Sequence, residues 1–163
     1  MNIIEQVKLK MIEFNESDPK RIQHFLKVHS FAVLIGELEN LDEKTMHILN
    51  IASLTHDIGI RPAEQKYGSC SGKLQEKEGV APARQLLTSL EIEEEVIQRV
   101  CYLIAHHHTY DNIDGLDYQI LVEADFLVNL YEDESSNAAI KSAKEKIFKT
   151  KSGIMLCDVM FGQ

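Results

Sequence analysis

Apolar residues recur at three- and four-residue intervals over nearly the whole chain, and strict alternation of Val, Ile and Thr never persists. A stripe of that period suits a helix laid against a core. A half-buried strand needs a period of two. Only three prolines interrupt the pattern, and no repeat, low-complexity tract or linker breaks it. The expected fold class is therefore all-α, an irregular helical bundle. Its 163 residues suit one domain spanning 1–163, and 44% hydrophobic residues suffice for its core.

The pattern divides into roughly seven helices. The first covers Ile3 to Phe14. Ser17-Asp18-Pro19 combines a capping residue with a proline tolerated in the first turn, so a second helix starts there and runs to about Glu39. Asp42 caps a third helix, Glu43 to about His56, which stops at Gly59 with Pro62 beyond. Arg61 to Lys77 is polar and aperiodic and reads as a long loop, a frequent place for function. Helices follow from Gly79 to Leu90 and from Ile92 to His107. After the turn signals of Thr109 to Leu116, Asp117 caps a helix to about Tyr131, and the last covers Ser136 to Lys149.

Composition narrows the function. The formal net charge of -9 repels nucleic acid backbones, so no nucleic acid polymer is expected as a partner. No stretch has the eighteen or so apolar residues of a membrane span. Met1 to Lys10 lacks the apolar centre of a secretory signal, and Cys70, Cys101 and Cys157 are widely spaced, as free thiols would be. A cytoplasmic protein, bound to no membrane, is the expectation. A homodimer is expected only because that assembly is the commonest.

Four polar features stand out on the apolar faces. His29 follows Phe25 by one turn and precedes Val33 by one. Taken alone it reads first as a hydrogen-bonded core histidine, with a ligand role the less common alternative. His56-Asp57 ends an apolar helix, where an acid opposes the helix dipole and a cation would reverse the sign. Asp125 sits among Leu121, Val122 and Val128, where an unpaired carboxylate would cost several kcal/mol. Glu123 lies about 200° away around the helix and reads as solvent-exposed. His106-His107-His108 is the fourth feature; at most two of the three can face one site unless the helix has ended. Imidazoles and carboxylates together suit zinc, iron or manganese.

The order His29, then Ala52-Ser53-Leu54-Thr55-His56-Asp57-Ile58-Gly59, then Glu123-Ala124-Asp125 resembles the HD superfamily of metal-dependent phosphohydrolases. Arg21 to Ser30 resembles that family's first metal helix, and the similarity spans about residues 20–131. The resemblance implies a helical bundle in which His29, His56, Asp57 and Asp125 ligate one divalent transition metal: iron, manganese, zinc, nickel or cobalt. It implies a second ion at His106 and His107, near where some branches carry another His four residues before a Gly. This chain has Gln75 before Gly79, a poorer ligand, which points to weak or water-mediated binding. It also has Ile60 where many relatives have Lys after His-Asp-Ile-Gly.

The implied activity is hydrolysis of a phosphate ester or anhydride in a nucleotide or other small phosphorylated metabolite. Asp57, His106 and His107 would be catalytic. Arg61, Lys66, Tyr67 and Lys73 of the expected loop, with Arg84 on the next helix, would meet substrate phosphates. Glu64, Gln75 and Glu78 would orient the ligands. Three other readings compete: a metal- or nucleotide-binding sensor without turnover, a di-iron oxygenase, and a structural bundle with buried polar pairs.

Overall fold

The computed structural model describes residues 1–162. Among these residues it has nine helices and no strand: α1 (Ile3–Phe14), α2 (Pro19–Leu38), α3 (Glu43–Thr55), α4 (Ile60–Tyr67), α5 (Gly72–Ser89), α6 (Glu94–His106), α7 (Leu116–Glu132), α8 (Asn137–Lys146) and α9 (Lys151–Phe161). Asn2 caps α1, and α2 and α3 follow the capping signals of the sequence. Asp18 accepts the Arg21 N–H with Pro19 in the first turn, and Asp42 accepts the Thr45 N–H. Each such cap is worth about 1 kcal/mol.

The interior is a single apolar cluster joining α1, α2, α3, α5, α6 and α7, with Leu49, Ile51, Leu54, Leu103, Ile104 and Leu121 fully enclosed. Burying each such side chain contributes about 1.5–3 kcal/mol. The α2–α3 hairpin packs along α7, and α6 closes against α3 and α5. No helix among the described residues is long and apolar enough to cross a membrane.

The structure corrects the element reading in three places. The expected loop from Arg61 to Lys77 is mostly helix: α4 ends at Gly68, whose φ of 65° is the left-handed conformation, and α5 begins at Gly72. Ile60, Ala63 and Tyr67 do share one face of α4, but only Ala63 is buried and eight mostly polar residues hold too few apolar positions for the stripe to stand out. The single last helix expected at Ser136 to Lys149 is α8 followed by a separate α9, begun by a Thr150 cap. Asp117 lies inside the first turn of α7, where it accepts the Tyr118 N–H at 2.8 Å and pairs with Arg99, while Gly115 takes the capping position.

Glu123 is the fourth correction, because it is fully enclosed rather than solvent-exposed. Helix α7 is covered by α2, α3 and α9 on different sides, so a residue opposite its first apolar face is still inside. The carboxylate accepts from Gln119 Nε2, Thr150 Oγ1 and the backbone N–H groups of Lys149 and Thr150, at 2.6–3.1 Å. Those four bonds compensate its burial and fasten the α8–α9 junction to α7.

Candidate metal centre

Helix α3 gives way to a tight turn at His56 to Gly59. The Ile58 N–H reaches Thr55 O and the Ile60 N–H reaches Asp57 O, each at 3.0 Å. The turn presses on α5: a methyl group at Gly59 would collide with the Gln75 carbonyl oxygen and the backbone of Gly79. Gly79 in turn lies under Ile104. This close backbone approach sets the His-Asp doublet beside Gln75 and the end of α6.

Four side chains from three regions converge here. His24 of α2, His56 and Asp57 of the α3–α4 turn, and Asp125 of α7 offer ligand atoms all within 4.8 Å of one another, and all four residues are buried. His24 Nε2 lies 3.2 Å from Asp57 Oδ2 and 3.1 Å from Asp125 Oδ1; His56 Nε2 lies 3.3 and 3.4 Å from the same oxygens. Burial opposes a charge on His24 and His56. The two carboxylates outweigh it and push the imidazoles up to about 11 and about 10. Burial likewise works against the carboxylates, yet the surrounding imidazoles hold Asp57 and Asp125 well below the usual range.

Tests of fit to a metal ion agree. Donors about 2.1 Å from a shared centre lie about 3.0–3.4 Å apart in octahedral or tetrahedral arrangement, which matches the N–O separations. His56 Nε2 and His107 Nε2 are buried without an aligned hydrogen-bond partner, although each points at a carboxylate oxygen. The opposite nitrogens are fixed: His56 Nδ1 donates to Ser53 O at 2.8 Å and His107 Nδ1 to Ile104 O at 2.7 Å. A carbonyl can only accept, so both Nε2 atoms are left to bind an ion. The cluster can therefore hold a divalent metal, with two imidazoles and two carboxylates suited to zinc, iron or manganese.

Asp57 faces two ways. Its Oδ2 belongs to the four-residue cluster, while its Oδ1 lies 3.4 Å from His107 Nε2. Asp57, His107 and His108 form a second group of mutually close ligand atoms. His108 Nε2 bonds Gln75 Oε1 at 2.7 Å, and Gln75 Nε2 donates to Cys70 O. Burial and the neighbouring His107 push His108 down to about 4, so it is neutral at pH 7.

Of the sequence-derived site residues, the structure brings together His56, Asp57 and Asp125, with His107 beside them. His29 stands apart. It is half-buried between α1, α2 and α3, and its Nε2 bonds Asn50 Oδ1 at 2.8 Å. Its place in the cluster is taken by His24, one and a half turns earlier. His106 also turns away, its Nδ1 on Tyr102 O and its ring stacked on Tyr102, because α6 ends at that residue and the chain changes direction. His108 takes its place.

The basic residues expected to meet substrate lie elsewhere. Arg61 donates to Phe14 O and Glu16 O, Lys66 and Tyr67 engage Glu78, Lys73 engages Glu76 and Thr109, and Arg84 pairs with Glu94. None of the five lines the cavity of about 230 Å³ above the cluster; its cations are Lys20 and Arg21, at the start of α2. Glu64 steadies Arg21 at 3.1 Å, Gln75 lines the cavity, and Glu78 bonds only Lys66 and Tyr67.

Three further residues support the site. Asn129 donates to Asp125 Oδ1 at 3.0 Å, Glu132 bonds His24 Nδ1 at 2.6 Å, and buried Glu76 accepts from His108 N and Thr109 Oγ1. Asn129 and Glu132 fall one and two turns after Asp125 on α7, a spacing visible in the sequence once Asp125 is fixed.

This arrangement coincides with a known family. The HD domain family model matches residues 21–146, most of the chain, and the protein belongs to that family. A crystal structure described as a predicted HD superfamily hydrolase, from an uncultured Thermotogales bacterium, superposes with a TM-score of 0.69 at 24% identity, covering 99% of this chain and 92% of that one. Its fold is the fold described here. Among curated proteins, none matches the sequence.

Proposed function

We propose that the protein is a metal-dependent phosphohydrolase acting on a phosphate ester or anhydride of a nucleotide or another small phosphorylated metabolite. The observation that carries the reading is the meeting of His24, His56, Asp57 and Asp125 at metal-ligand spacing below an open cavity. Family membership and the description of the structural neighbour as a hydrolase support it.

His24, His56, Asp57 and Asp125 would hold one divalent cation, and Asp57 Oδ1 with His107 and His108 would hold a second, more weakly. A cation in such a place acidifies water and offsets charge on a phosphoryl group. The chain's own part follows from its geometry. Where no second ion is bound, His107 Nε2 would instead accept a proton, because Nδ1–H is committed to Ile104 O. Asp57 Oδ1 lies 3.4 Å away and would stabilise the resulting imidazolium. Lys20 and Arg21 are the basic residues of a cavity otherwise rich in acids, and Asp18 and Glu64 already pair with Arg21, so a phosphate would depend on the bound cation and on Lys20. Asn129 and the buried walls keep Asp125 in one orientation.

The test is elemental analysis of the purified protein, followed by a panel of nucleotides and phosphomonoesters with Asp57→Ala as control. Bound transition metal and phosphate release in the wild type alone are expected. Equal release by both proteins would defeat the assignment.

A further inference from the structure

Three of the histidines around Asp57, those with Nε2 within 3.4 Å of its carboxylate, differ at the nitrogen that faces away from the cluster. For His56 and His107 that nitrogen meets a neutral backbone carbonyl, Ser53 O at 2.8 Å and Ile104 O at 2.7 Å. For His24 it meets a carboxylate: Nδ1 lies 2.6 Å from Glu132 Oε1. Glu132 comes from the last turn of α7, the helix that also carries Asp125, and its side chain is only 14% exposed. Lys27, one turn along α2 from His24, lies 3.7 Å from the other oxygen of Glu132 and is 41% exposed.

From this contrast we infer that Glu132 is a positioning residue for the metal centre: it holds the proton on His24 Nδ1, fixes the ring, and makes His24 Nε2 the most electron-rich nitrogen of the cluster. The inference rests on the metal-binding reading above. The physics is that of a carboxylate behind an imidazole. An acceptor-only anion locks the ring in the tautomer whose far nitrogen carries the lone pair, and raises the basicity of that nitrogen more than a neutral carbonyl does.

The placement also explains a sequence feature that cluster membership leaves over. Asp125, Asn129 and Glu132 occupy one face of α7 at intervals of four and three residues. The first meets the centre directly, the second holds the first, and the third holds His24 from α2. Helix α7 thus sets both its own ligand and the ligand opposite, and Lys27 only decorates the outer edge of the pair.

The experiment measures zinc affinity by chelator competition on the full chain, for wild type, Glu132→Gln, Glu132→Ala and Lys27→Met. Glu132→Ala is expected to weaken binding about 10- to 100-fold, and Glu132→Gln, which keeps an acceptor without the charge, by about 3- to 10-fold. Lys27→Met should stay within about twofold. In zinc-loaded protein labelled with ¹⁵N-histidine, the His24 Nδ1–H proton should be the furthest downfield of the ligand rings. It should move upfield in Glu132→Gln while those of His56 and His107 stay in place.

Affinity in Glu132→Gln equal to wild type, or an unmoved His24 proton, overturns the inference and leaves the metal centre standing. Equal losses in Lys27→Met and Glu132→Gln also overturn it, because the pair would then act only as a surface clasp. Absence of zinc binding by the wild type overturns the metal reading itself, and this inference with it.

Discussion

Helix α2 carries two histidines five residues apart, and they have different fates. His29, at mid-helix, meets Asn50, a single side-chain hydrogen bond in a half-buried groove beside α1. His24, nearer the open end of the α2–α3 hairpin, meets two buried carboxylates and a second imidazole. Five residues turn a helix by about 140°, so the two stand at opposite edges of its apolar face, with His24 the more buried. Their partners across the hairpin differ as well. A short connection makes the helices antiparallel, and each step back along α2 is matched by a step forward along α3. That register sets Asn50 level with His29, and Asp57 level with His24.

The largest expected break in the comparison is between His24→Ala and His29→Ala. The first should lower metal affinity by more than about 100-fold and remove hydrolysis, because it deletes a ligand in contact with both carboxylates. The second should leave metal content and turnover near wild type and cost about 1 kcal/mol of stability for the lost bond to Asn50. Metal content and thermal melting check both. A metal-depleted His29→Ala protein would overturn the separation of the two histidines.

A smaller effect contrasts a glycine at each end of the α2–α3 hairpin. A methyl group at Gly59 meets backbone on α5, so Gly59→Ala should cost about 1–3 kcal/mol and disturb the His-Asp turn. At Gly36 the nearest atom is the terminal methyl of Met46, at 2.7 Å, which can swing aside. Gly36→Ala should therefore change the denaturation midpoint much less. Equal losses for the two variants would show that the α5 contact is not what constrains the turn.

The remaining test is a pH profile. In metal-stripped protein, His24 and His56 are raised from 6.5 to about 11 and about 10, so their contribution is complete below pH 6.5 and declines until pH passes 10 to 11. Asp57 and Asp125 are lowered from 3.8, so theirs is complete above pH 3.8 and lost as pH falls below it. The melting temperature should peak between about pH 4 and 6.5 and decline toward pH 9. Zinc should reverse the alkaline trend, since protons and metal compete for the same nitrogens. His29→Ala should keep the shape of both curves, and His24→Ala should flatten the first.

Much of this architecture was legible in the sequence because capping chemistry is local. Asp18-Pro19 and Asp42 mark α2 and α3 within their own turns. The His-Asp doublet and Asp125 were legible because charge on an apolar face demands a partner. What escaped depends on neighbours. Glu123 reads as exposed on a helical wheel, and only the covering of α7 from several sides puts it inside. His108 joins the site instead of His106 because α6 ends at His106. Helix α4 escaped because its stripe is only Ile60, Ala63 and Tyr67 in a short polar segment.

Glu123 also gives the tail of the chain a mechanical part. It stands two residues before Asp125, and its carboxylate grips the backbone at Lys149 and Thr150, just past the last residue matched by the family. The tail thus acts as a guy-rope on the helix that carries the acid. Shortening the protein after residue 146 would keep every residue of the cluster, yet remove three donors of Glu123 together with the α9 cover over it. Helix α7 would then be braced mainly by α2 and α3, and would hold the carboxylate of Asp125 less firmly.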